Sequence, residues 1–455
     1  MNTLRKVLGG STLSAILALA GSVISPPAQA VIGTLDRVPA ATLLLPYFED
    51  DLTDPNGTQT RFTLVNASDS QQLAHVTLWT DMGVPTLDFD LYLGGFDSVE
   101  VDLRLLFTKG ILPQTTPGFP HGPDSHSHTA VSSCSATATY AGFPAPDTLT
   151  PLQIAHLNVV HRGAHTAVFG NMCAAANHGD LVARGYITID AVNTCSSKFP
   201  TDSGYFGGAG TGVASDKNTL FGTYTIIDRG SNVSTASPLV SIEASSTDPL
   251  TTTAGNYTFY ASMVNASAID NREPLGTVWQ ARYLDGGIFD GSELVVWRDP
   301  AFIHAPFTCG TTPADFPRMQ TEITSFDEQE HYFILNSIDY YPNPQPPPIV
   351  PFALLAQRTP VAVMSPFNFG FIHLNLNTPV PGEVVSPLGL VQSYVAVRQQ
   401  ASGKFGAALP ATYLWGPQYQ VAGAGQTPTT GGPFACPTPG TVYPACYDRP
   451  TYINQ

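Results

Sequence analysis

The chain has 455 residues and a formal net charge of −16, and only 12% of its residues are charged, about half the ~25% share of an ordinary soluble protein. An acidic excess of this size excludes nucleic acid and anionic membrane surfaces as partners, since both recruit basic patches. Gly and Pro number 40 each, a composition that favours strands and turns over helices in a chain long enough for two domains or one large all-β domain.

Residues 1–30 read as an export signal. Arg5 and Lys6 precede an apolar run from Ser14 to Ala20, and Ala28-Gln29-Ala30 is a small-x-small cleavage site. The run is too short to span a bilayer, and no cysteine follows the site to accept a lipid. The segment carries both those cations and no acid, so its removal takes the charge from −16 to −18. The mature protein is expected in the periplasm, on the cell surface or in the medium, with no membrane span.

Next comes LLLPYFEDDLTDPNGTQTRFTLVNAS, residues 43–68. Pro46 interrupts the first apolar run, which suits an edge strand or a bulge. Asp54-Pro55-Asn56-Gly57 is a turn signal, because Pro presets φ and Asn-Gly tolerates positive φ. Arg61 to Asn66 alternates, so the segment is expected to be a β-hairpin. Period-two alternation recurs over 74–80, 87–93 and 99–105, which predicts half-buried strands. Residues 113–152 read as a long surface loop, and the best helix candidate is the short stretch around 152–157. Further strands are expected over 180–193, 220–228, 239–244, 257–264, 278–284, 293–299 and 320–326. After the stiff Pro-rich stretch at 341–348, strands follow within 352–364 and 369–376, and the 393–400 strand turns at Ser402-Gly403 into a hairpin.

These elements predict an all-β fold of two packed antiparallel β-sandwich modules with long irregular loops and disulfides. The modules are expected at 31–200 and 215–421, followed by an irregular tail at 422–455 stapled by its cysteines. The six cysteines are Cys134, Cys173, Cys195, Cys309, Cys436 and Cys446. An even number in an exported chain suggests three bridges, with 15 possible connectivities. Cys436–Cys446, ten residues apart in the tail, is the one pair expected from spacing. No C-x-x-C spacing points to zinc.

The stretches ATLLLPYFEDDLTDPNG, AHVTLWTD, GDLVARGYITIDAVN and DNREPLGTVWQARYLDGG resemble segments of an uncharacterised family of secreted bacterial β-rich proteins. The likeness runs from about residue 39 to 420. It implies a bacterial, exported protein and supplies no activity, cofactor or site residue.

Chemistry-bearing residues fall into five groups. Asp50, Asp51, Asp54 and Asn56 could converge on calcium, though Leu52 stands where such a loop needs its first carboxylate; the alternative is a solvated turn. His121, His126 and His128 lie in HGPDSHSH, where imidazoles two apart could bind zinc or copper, or simply belong to a polar loop. No nucleophile elbow, Rossmann or P-loop glycine pattern occurs in the mature chain. Acids at Asp285 and Asp290, and at Asp327, Glu328 and Glu330, could pair for glycoside hydrolysis or sit in turns. Trp79, Trp279, Trp297 and Trp415 read as core by default; an exposed aromatic row on a sheet would instead stack on sugars or apolar ligands, and the alternate face of ELVVWRD is the place to look for one. The functional expectation is therefore an exported, non-catalytic cell-envelope or extracellular protein that binds a surface ligand or protein partner through its loops. The alternatives are a secreted polysaccharide hydrolase using paired carboxylates, and an envelope metal-binding protein using the His121–His128 loop.

Overall fold

A computed structural model describes residues 37–113, 149–254, 256, 258–264, 269–300, 304–313, 316–318, 322–335, 351–376, 391–401 and 403–415. The export signal, His121, His126, His128, Cys134, Cys436, Cys446, the Pro-rich 341–348 stretch and the 422–455 tail lie outside the described residues.

Among the described residues the chain forms the strands β1 (Thr42–Asp51), β2 (Gln59–Asn66), β3 (Gln72–Thr80), β4 (Pro85–Leu93), β5 (Ser98–Asp102), β6 (Val182–Val192), β7 (Leu220–Asp228), β8 (Val233–Pro238) and β9 (Val240–Ile242). The second group is β10 (Val278–Leu284), β11 (Gly291–Arg298), β12 (Glu322–Phe326), β13 (Tyr332–Leu335), β14 (Ala356–Pro360), β15 (Phe369–Asn375), β16 (Ser393–Ala401), β17 (Phe405–Pro410) and β18 (Thr412–Trp415). They make four antiparallel sheets, ordered β4-β3-β6-β1-β9, β5-β2-β7-β8, β13-β12-β15-β10-β18 and β14-β11-β16-β17. The fold is all-β, as the alternation predicts.

Pairing divides the chain between Ile242 and Val278, not at the expected 200–215. The strands β7 and β8 extend the sheet of β2, and β9 pairs with β1, so residues 220–242 belong with the first strand set. A single buried cluster runs from Ala40 through Trp79, Tyr186, Trp279 and Trp297 to Ala411, so the two sets share one core. Charged side chains cross between them: Arg358 on β14 meets Glu49 on β1 at 3.1 Å and Glu293 on β11 at 3.0 Å.

Several local expectations change. The Asp54–Gly57 turn closes, with the Gly57 N–H donating to the Asp54 carbonyl at 3.0 Å, but β1 and β2 do not form a ladder with each other. Each finds distant partners in a different sheet, and the turn is a corner between sheets. Pro46 does mark a bulge, at the register shift between Leu45 and Phe48, yet β1 lies inside its sheet and not at its edge. The strand expected at 99–105 stops at Asp102, whose carboxylate accepts the Leu105 N–H and caps helix α1 (Leu103–Lys109); Gly110, in the left-handed region, ends it. The described residues 258–264 of the strand expected at 257–264 form a run of turns. The short helix at 152–157 lengthens to α2 (Pro151–Val160), started by the Thr150–Gln153 capping box and the proline at its first turn.

The Cys173–Cys309 disulfide ties the segment before β6 to the segment after β11, across 136 residues. Cys195 is also disulfide-bonded.

Candidate functional site

The oxygens of the acidic corner do not gather on one point: Asp50 is buried, while Asp54 and Asn56 are exposed. Asp50 is fully buried, accepts the Thr60 N–H at 3.0 Å, and is pushed well above the usual carboxylate range by burial. The Asp51 carboxylate is spent on its own turn, accepting from the Thr53 N–H and hydroxyl and the Asp54 N–H. Asp54 accepts the Asn56 N–H. Arg104 on α1 donates to the carbonyls of Asp54, Pro55 and Thr58 at 2.7–3.1 Å, so a guanidinium already sits where these carbonyls converge. Among the described residues no group of three or more His, Cys, Asp or Glu is arranged to hold a metal ion.

The paired acids are turn residues. Asp327 caps the β12–β13 turn by accepting the Gln329 and His331 N–H groups and meeting the His331 ring at 2.7 Å. Asp285 and Asp290 flank a turn in which Gly286 and Gly287 have φ of 87° and 68°. Deeper acids exist that the sequence reading did not single out. His75 meets Asp90 at 2.9 Å, and the Tyr205 and Tyr260 hydroxyls both donate to Asp190 at 2.6 and 2.9 Å. Register places Asp90, His75, Asp190 and Thr42 side by side across β4, β3, β6 and β1. All four are at most 1% exposed. They join strands and loops inside the core, and no polymer reaches them.

Three of the tryptophans are core: Trp79, Trp279 and Trp297 are 0–1% exposed. Most of the ELVVWRD strand is buried on both faces, so it presents no exposed aromatic row. An exposed row stands instead on the sheet of β10, β12, β13 and β15. The sequence FGFIHLN alternates along β15, turning Phe369 and Phe371 outward while Ile372 and Leu374 are buried. Phe371 lies opposite Phe326 on β12 and Arg282 on β10, and Phe326 lies opposite Tyr332 on β13. The result is one in-register line, Tyr332–Phe326–Phe371–Arg282, across four strands. Tyr332 is 55% exposed and Phe371 40%. Arg282 sits over the Phe371 ring at 5.9 Å and pairs with Glu328 at 3.1 Å. Phe369 continues the apolar surface opposite Leu284.

Two residues further along the strands Thr324, His373 and Gln280 lie in register; Thr324 is buried, and His373 and Gln280 are half-buried. Burial pushes His373 down to about 4, so all three are uncharged at neutral pH. Gly370 makes the site possible. A Cβ there would come within 1.8 Å of the Phe326 carbonyl oxygen, so only glycine lets β12 and β15 close with Phe369 and Phe371 on either side.

Set against models of protein families, curated proteins and solved structures, the chain matches none.

Proposed function

We propose that this is an exported, non-catalytic binding protein of the cell envelope or extracellular space, whose binding surface is the outer face of the β13-β12-β15-β10 sheet. The observation that supports it is the in-register line of Tyr332, Phe326 and Phe371, with Tyr332 and Phe371 standing in solvent. Large aromatic side chains normally go inward, and an ordered group of them on a flat face is a recognition feature. Rigid strands fix the rings at little entropic cost on binding. The reading keeps the expected binding role but moves it from loops to a sheet. Among the described residues no helix is long and apolar enough to cross a membrane.

Cosedimentation with isolated cell-envelope fragments tests it. The wild-type protein is expected to sediment with them, and the Tyr332→Ala, Phe371→Ala double variant to lose roughly tenfold in affinity, as loss of central aromatic anchors does. A double variant that sediments like the wild type contradicts the reading.

A further inference from the structure

We infer that the ligand of this face is an uncharged polysaccharide chain; the inference rests on the proposed binding role of the face. Three features point there. First, Arg282 at the face is already paired with Glu328, and Asp327 is held by its own turn and the His331 ring. An anionic ligand would have to break the Arg282 pair and approach a chain of net charge −16, and a cationic one would compete with Arg282 for Glu328, whereas a neutral one does neither. Second, the surface has two neighbouring parts of different chemistry. The aromatic line Tyr332–Phe326–Phe371 offers ring faces, and beside it the half-buried, cross-strand pair His373–Gln280 offers uncharged polar groups. A pyranose ring has the matching pair of surfaces, an apolar C–H face that stacks and a rim of hydroxyls that hydrogen-bond.

Third, the size suits a thin chain and not a folded partner. Three strand spacings and two residue steps give ~14 Å by ~7 Å, on the order of 100 Å². A stable protein interface needs about 800 Å² from each partner. Aromatic rings repeated at the strand spacing of ~4.8 Å allow successive sugars to stack along the row, so a polymer gains from several weak contacts at once. Membranes and second copies of this chain lack the fit, because the row is narrow.

The test is retention of the full exported chain on insoluble cellulose, chitin and starch, with a phenyl-bearing matrix in parallel. Retention on at least one glycan, insensitive to salt and reduced roughly tenfold by Tyr332→Ala with Phe371→Ala, is expected. Phe96→Ala, which removes an exposed aromatic from the β4–β5 turn, should retain wild-type binding; matched thermal melts show that the variants fold. Retention on the phenyl matrix but on no glycan overturns the polysaccharide assignment and leaves the binding face standing. Retention on neither matrix overturns both. Glycan retention unchanged in the double variant overturns the assignment of the ligand to this face.

Discussion

Single buried groups set how this protein responds to pH. Asp299, at the end of β11, accepts from the Ser262 hydroxyl at 2.8 Å, and burial pushes it up to about 8. A carboxyl raised in the fold holds a proton that the unfolded chain has released. Its stabilising effect is complete below the unfolded value of ~3.9 and is lost as pH rises through about 8, at up to about 1.4 kcal/mol per pH unit. His161, which bonds the Thr86 hydroxyl and the Arg184 carbonyl, is pushed down to about 3 by burial, and His156 to about 4. These neutral histidines act in the opposite sense: stability falls as pH drops below ~6.5, where the unfolded imidazoles take up protons. The two trends oppose each other between about pH 4 and 6.5, where two histidines outweigh one carboxyl, and above 6.5 only the carboxyl acts. Thermal melts should therefore rise to a maximum near pH 6.5 and decline from there to 8. Asp299→Asn should flatten that alkaline decline, and an equally steep decline in the variant would count against this account.

None of these groups was readable from sequence. Asp299, His75 and Asp190 look like any other polar residue in an alternating run. What sets them apart is the partner brought up from 37, 15 or 70 positions away. The aromatic site was closer to legible. FGFIHLN declares two outward phenylalanines once a strand is assumed, but its partners Phe326 and Tyr332 depend on register, which one strand cannot supply.

At the scale of elements, alternation located most strands because each buries one face and solvates the other. It missed where local hydrogen bonding competes. Asp102 diverts the end of β5 into a helix by accepting the Leu105 N–H, and the apparent hairpin at 43–68 opens because each arm finds a longer ladder elsewhere. The close approach at Gly370 gives a sharp prediction. Gly370→Ala drives a methyl into the Phe326 carbonyl and should cost about 1–3 kcal/mol, the usual toll of overpacking. Chemical denaturation measures it, and glycan or envelope retention should fall along with it because β12 shifts away from β15. A stability unchanged within error would show that the two strands are not held this closely.

Across the whole molecule, the two strand sets are joined by a shared core, by the Glu49–Arg358–Glu293 bridge and by the Cys173–Cys309 disulfide. The division of the chain was the least legible feature. Sequence marks turns and composition, whereas β7, β8 and β9 are assigned to the first set only by the partners they choose. The disulfide closes a loop of 136 residues, for which chain entropy implies a stabilisation of about 4–5 kcal/mol. Replacing Cys173 and Cys309 together by Ser should lower the melting temperature by several degrees; a melt that does not move would mean the bridge contributes nothing to the folded state.

The most direct measurement is hydroxyl-radical footprinting of the protein, free and bound to cell-envelope fragments. The account predicts strong labelling of Tyr332, Phe369 and Phe371 in the free protein, and protection of all three, with Phe326, in the bound one. If those residues label equally in both states while another surface becomes protected, the outer face of this sheet is not where the protein binds.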